Sequence, residues 1–132
     1  MDILISIYIT YSSLVNGVDP SLVHGIVKTE SRYVVEATGA IGEVGLMQIR
    51  PIYWQGPLCL YHAETNISKG VQKLANLKRL EDRLGSNWFV AYNLGPTGAL
   101  EYSKNNDISI FDYALKVKKH KPKKLNLISY HY

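Results

Sequence analysis

From Ile67 to Leu84, the apolar residues Ile67, Val71, Leu74, Leu77 and Leu84 fall on one helical face, with Lys69, Lys73, Asn76 and Arg83 away from it. That spacing predicts a helix, with Thr65 or Asn66 as its cap and Gly85 as its stop. An earlier helix opens at Asp19-Pro20, carries Leu22, Ile26 and Val27, and brings Glu30 and Ser31 into its last turn. Met1 to Val15 is apolar and closed by Asn16-Gly17, as expected of a helix packed on the core. It is too short to span a membrane, and Asp2 replaces the positive start of an export signal, so no export signal is expected. Ser86 is expected to cap a helix carrying Trp88, Phe89, Ala91 and Tyr92, with Pro96 ending it or starting the next. Ala99 to Asn105 and Ser109 to Lys119 complete the set, the last with Ile110, Tyr113, Ala114 and Val117 inward. At most a small β-hairpin fits, between Ala37 and Val44. The pattern predicts a mainly α fold, and 132 residues suit a single domain, 1–132, with a core of its own.

Lys28 to Pro51 is the stretch around which the rest is organised. A helix C-terminus disfavours negative charge, so Glu30 is poorly placed for a merely solvated carboxylate. Gly39, Gly42 and Gly45 then break the chain into a tight loop, and Gly45-Leu46-Met47-Gln48 presents one amide beyond it. Together they make the floor of a cleft. Ile52 to His62, with Tyr53, Trp54, Gly56 and Pro57, reads as irregular structure lining it.

Composition narrows the partners only a little. Hydrophobic residues at 46% and charged residues at 20% are those of a soluble globular protein. A formal charge of +4 and a pI of about 9.1 favour polyanions, whether nucleic acid, anionic lipid or bacterial wall. No nucleic-acid reader motif is present. The basic C-terminal segment, 116–124, is either a solvated end or a hold on anionic envelope components, and the last eight residues are apolar enough to pack back. Ten tyrosines against two phenylalanines suit a wet cleft. Cys59 is the single cysteine, and no His, Asp and Glu set has ligand spacing, so neither a metal nor a cofactor is expected.

Glu30-Ser31, then Gly45-Leu46-Met47-Gln48, then Ala91-Tyr92-Asn93-Leu94-Gly95-Pro96 recur in the order and spacing of a known family. From about Asp19 to Lys119 the chain resembles the soluble lytic transglycosylases, relatives of goose-type lysozyme. The resemblance implies a lysozyme-like domain that cleaves the MurNAc-GlcNAc β-1,4 bond of peptidoglycan glycan strands. Glu30 would protonate the glycosidic oxygen and then deprotonate the muramyl C6 hydroxyl, leaving 1,6-anhydromuramyl ends. Gln48 would orient substrate or brace the glycine loop, and Asn93 would fix a helix end. The Tyr92 hydroxyl would lie near Glu30 or the substrate acetamido group. Tyr113 would hold Glu30 through its hydroxyl or pack in the core, and Met47 would be core or a floor under a sugar face. Ser31 would bond backbone.

Three positions depart from the family. Gly39 stands where serine is common, so Thr38 would supply the lost bond. Arg50 replaces a methionine and would meet the anionic wall peptide. Glu43 replaces alanine and would position water, favouring a hydrolytic muramidase. A non-catalytic wall-binding or assembly module is the alternative from another class. Without an export signal, a phage origin is attractive: the protein would act at the cell wall or periplasm, associated with a virion and its proteins.

Overall fold

Asp2 accepts the Leu4 N–H at 2.8 Å and so caps α1 (Ile3–Val15), which closes on Asn16 before Gly17 takes a φ of 70°. The computed structural model describes residues 2–53 and 59–123. Ile5 and Ile9 face inward from α1, whereas Ile3, Leu4, Ile7, Tyr11, Leu14 and Val15 are exposed. No described helix is long and apolar enough to cross a membrane. The Asp19 carboxylate accepts the Ser21 N–H at 3.0 Å, and Pro20 opens α2 (Pro20–Ser31), as its sequence predicts. Between the two helices His24 is 1% exposed and lies 3.2 Å from the Thr10 hydroxyl. Burial pushes its pKa down to about 4, so the imidazole is neutral at physiological pH.

Next come α3 (Ala63–Leu77), α4 (Glu81–Leu84), α5 (Ala91–Asn105) and α6 (Asp112–His120). The helix expected through Leu84 is broken by a 3-10 turn, Lys78–Leu80, that keeps Leu80 and Leu84 buried. Neither Thr65 nor Asn66 caps α3; both lie inside it, and His62 holds the cap position. Ser86 likewise caps nothing, because Gly85–Val90 winds as a 3-10 segment after Gly85. α5 kinks at Gly95 (φ 78°, ψ 161°), and Pro96 opens its second half. A 3-10 turn, Ile108–Ile110, delays α6 to Asp112, which leaves Ile110 65% exposed instead of inward; Tyr113, Ala114 and Val117 are buried as predicted.

α6 lies across α2 at Gly25, where an added Cβ would stand 2.7 Å from the Val117 carbonyl oxygen. Lys121 also reaches this seam, 3.9 Å from Asp19, so part of the basic segment is docked on the fold. Two isolated bridges, Thr38–Val44 and Val44–Ile49, stand where a hairpin was allowed, and the described residues form no strand. The expectations for Trp54, Gly56, Pro57, Lys124 and the last eight residues lie outside the described residues.

Candidate active site

Glu30 sits in the last turn of α2, which ends with Arg32 and Tyr33 in left-handed conformation at φ 53° and 64°. The Ser31 hydroxyl donates to the Val27 carbonyl at 3.0 Å, a backbone role. The loop that follows is closed by Gly45 N–H to the Ala37 carbonyl (2.8 Å) and by reciprocal bonds between Val44 and Ile49 (2.9 and 3.0 Å). Gly42 and Gly45 take φ 86° and 80°, which only glycine adopts freely. At Gly39 an added Cβ would lie 2.5 Å from Glu43 Oε1 and 2.6 Å from Gln48 Oε1. Those two polar groups fill the space a side chain at 39 would take.

Asn66 and Tyr92 hold this loop from behind. Asn66 accepts the Met47 N–H (2.7 Å) and donates to the carbonyls of Val44 (2.7 Å) and Leu60 (2.8 Å). Tyr92 donates to the Met47 carbonyl at 2.6 Å.

In front of the loop lies a cleft of about 390 Å³, with Glu30, Glu43, Gln48, Arg50, Lys73, Tyr92 and Asn93 among its walls. Glu30 and Asn93 also line a second hollow of about 280 Å³, shared with Asp112, Tyr113 and Lys116. Tyr113 donates its hydroxyl to Glu30 Oε2 at 2.9 Å. Burial pushes the Glu30 carboxyl up to about 7. The Tyr113 hydrogen bond and the Lys73 charge oppose that rise, and the Glu43 charge adds to it. Burial and the Glu30 charge hold both Tyr92 and Tyr113 well above the usual phenol range, so both remain donors. The Lys73 ammonium lies 4.4 Å from the Tyr92 ring centre.

The fold therefore gathers Glu30, Glu43, Gln48, Tyr92 and Asn93 at one cleft, with Tyr113 bonded to Glu30 beside it. Gln48 also braces the loop, donating its amide to the carbonyls of Gly45 (2.9 Å) and Ala37 (3.2 Å). Two expected residues are elsewhere. Met47 is 0% exposed and fills the notch at Gly70 of α3, so it is core and no sugar floor. Thr38 points outward, 3.0 Å from the Tyr61 hydroxyl, and does not line the cleft. The Tyr92 hydroxyl is spent on Met47 backbone instead of on Glu30. Neither Lys73 nor Asn66 was expected at the site, since the sequence offered Lys73 only as a polar-face residue and Asn66 only as a helix cap. Their signal was the polar-glycine-polar stripe Asn66, Gly70, Lys73, whose i, i+4, i+7 spacing marks one helix face.

The family model described as the transglycosylase SLT domain matches residues 7–113, a span that contains every cleft residue named above. The chain belongs to this family. Its mainly helical fold is the lysozyme-like SLT domain, and its substrate class is peptidoglycan, the target of lytic transglycosylases.

Proposed function

We propose that Glu30 is the acid, and then the base, of a lytic transglycosylase cutting between N-acetylmuramic acid and N-acetylglucosamine. One observation carries this reading: a desolvated carboxyl, protonatable near neutral pH, stands where two hollows of an SLT domain meet. Protonated Glu30 gives its proton to the glycosidic oxygen as the bond from muramyl C1 breaks. The muramyl acetamido oxygen stabilises the cation at C1. Glu30, now a carboxylate, takes the proton of the C6 hydroxyl, whose oxygen closes on C1. The balance needs no water, and intramolecular attack needs no second activated nucleophile. Tyr113 fixes one Glu30 oxygen, and the other carries the proton. Lys73 and the Tyr113 hydrogen bond both favour the anion, which keeps the intermediate carboxylate accessible despite burial. Gln48 and Asn93 orient the sugar. The place of action in this reading is the bacterial wall or periplasm.

Purified peptidoglycan should yield glycan ends in 1,6-anhydromuramic acid, one water lighter than reducing ends by mass spectrometry. Glu43 supports a second reading, because it lines the same cleft as Glu30. Mainly reducing ends, lost in Glu43→Ala, would transfer the assignment to a muramidase with Glu43 positioning water.

The rate should also follow the Glu30 proton. The acid form is complete well below pH 7 and is lost as pH rises through about 7. The acidic limb of kcat/KM should therefore be flat, with a fall of about tenfold per pH unit above it. A rate that climbs through neutrality would show that Glu30 is not the proton donor.

A further inference from the structure

Asp2 and Asp19 bracket a stretch with no charged residue, and α1 fills most of it. Its inner face is accounted for by the core, where Ile5 and Ile9 are buried. Its outer face is just as apolar: Ile3, Leu4, Ile7, Tyr11, Leu14 and Val15 are 45% to 69% exposed. A helix that meets only water on one side carries polar and charged residues there. Six large side chains exposed to this degree leave on the order of 600 Å² of apolar surface, at the top of the range for a monomer and close to the ~800 Å² that each partner gives a standard interface. We propose that this face of α1 pairs with the same face of a second copy of the chain, antiparallel, about a twofold axis level with Ile9.

The positions themselves select that partner. Leu4, Ile7, Tyr11 and Leu14 follow the alternating three- and four-residue spacing of a helix–helix seam. Reversed about Ile9, the exposed set maps onto itself. Ile3 meets the partner's Val15, Leu4 meets the partner's Leu14, and Ile7 meets the partner's Tyr11. A twofold interface requires such self-complementarity. A hollow of about 280 Å³ lies beside Tyr11 and Val15, walled on the far side by Ile67, Ser68 and Gln72 of α3. In the pair it faces the partner's Ile3 and Ile7.

Charge sets the direction. Asp2 stands at the start of α1, and just past its end Lys78 donates to the Gly17 carbonyl at 3.1 Å. Antiparallel packing brings each Asp2 toward the partner's Lys78 and opposes the two helix dipoles. Parallel packing would set Asp2 against Asp2. A lipid surface suits the stretch less well, because a membrane-surface helix carries Lys or Arg on its polar face and none occurs here before Lys28. The fold already holds α1 against α2 and α3, so pairing orders no new segment. No α1 residue lines the Glu30 cleft, so pairing takes nothing from it.

Sedimentation equilibrium of the full chain tests the pairing. The mass should rise from 14.9 kDa toward twice that value as loading approaches about 100 µM. Ile7→Glu and Leu14→Glu each put an unpaired carboxylate into the seam and should weaken association by about a hundredfold or more. Both side chains are exposed in the single chain, so circular dichroism and thermal melts should match the parent. Direction is read by disulfide trapping in chains carrying Cys59→Ser, which removes the one native thiol. Chains with Leu4→Cys should cross-link to chains with Leu14→Cys and not to one another. A parent that stays monomeric at that loading, variants that associate as the parent does, or cross-links joining position 4 to position 4 each overturn the proposal. So does a chain that is monomeric alone and binds vesicles of phosphatidylcholine, with or without phosphatidylglycerol, through Ile7 and Leu14. That result would give the face to lipid. Turnover of soluble glycan fragments per chain should be equal for the parent and Ile7→Glu, so failure of the pairing and failure of the chemistry proposed for Glu30 are separate results.

Discussion

Glu30→Gln should lower peptidoglycan turnover by about a hundred- to ten-thousand-fold, the range general acid catalysis supplies, while the chain stays folded. Glutamine keeps the shape of the side chain, and its amide oxygen can still accept the Tyr113 hydroxyl that Glu30 Oε2 accepts at 2.9 Å. What it lacks is the transferable proton. Stability moves the other way. The Glu30 pKa is raised from an ordinary 4.5 to about 7, so folding favours the protonated form. The stability linked to that proton is fully present below pH 4.5 and is lost as pH rises through about 7. Glutamine does not ionise, so the variant should melt close to the parent near pH 4 and above it near pH 8. Turnover and melting at both pH values make one test. More than about a tenth of the parental rate would mean another group is the acid. An equal melting difference at both pH values would mean Glu30 is not desolvated.

The local grammar of this chain was legible wherever one segment decides its own ending. Asp19-Pro20 starts a helix, Asn16-Gly17 stops one, and Gly95-Pro96 marks the kink in α5. Periodicity failed where two helix types interleave. The 3-10 turn Lys78–Leu80 keeps Leu80 and Leu84 buried, so the apolar pattern runs past the real end of α3. At the cleft, Glu30 and Tyr113 are 83 positions apart, and only the family resemblance linked them in sequence. Met47 was ambiguous because a core residue and a cleft floor are both apolar. What decided it is the missing side chain at Gly70, a complementarity that no window around Met47 contains. Asn66 looked like a helix cap because it is polar and precedes an apolar run. Its real partners are three backbone groups on distant turns.

Those partners make Asn66→Ala the largest stability loss expected in this fold. Asn66 is 1% exposed, so water does not reach the groups it serves. Truncation leaves the Met47 N–H without its acceptor and the carbonyls of Val44 and Leu60 without this donor. An unsatisfied buried group costs roughly 1–3 kcal/mol, which sets the expected loss at about 3–5 kcal/mol overall. The loop would suffer first, because Val44 to Ile49 is pinned to α3 through this one amide and to α5 through Tyr92. Glu43 precedes that stretch and Gln48 lies within it, so turnover should fall even at temperatures where the variant remains folded. Asn66→Asp separates geometry from chemistry. A carboxylate can still accept the Met47 N–H, but it faces two carbonyl oxygens with no hydrogen to give them. It should therefore be no better than alanine above the carboxyl pKa and should recover part of the loss in acid, where the protonated group donates once. Urea melts across pH give the free energies, and amide exchange at Met47 reports the loop itself. A loss under about 1 kcal/mol with Met47 still protected would mean that Tyr92 and the loop's own bonds suffice, and that Asn66 is not the anchor of the cleft floor.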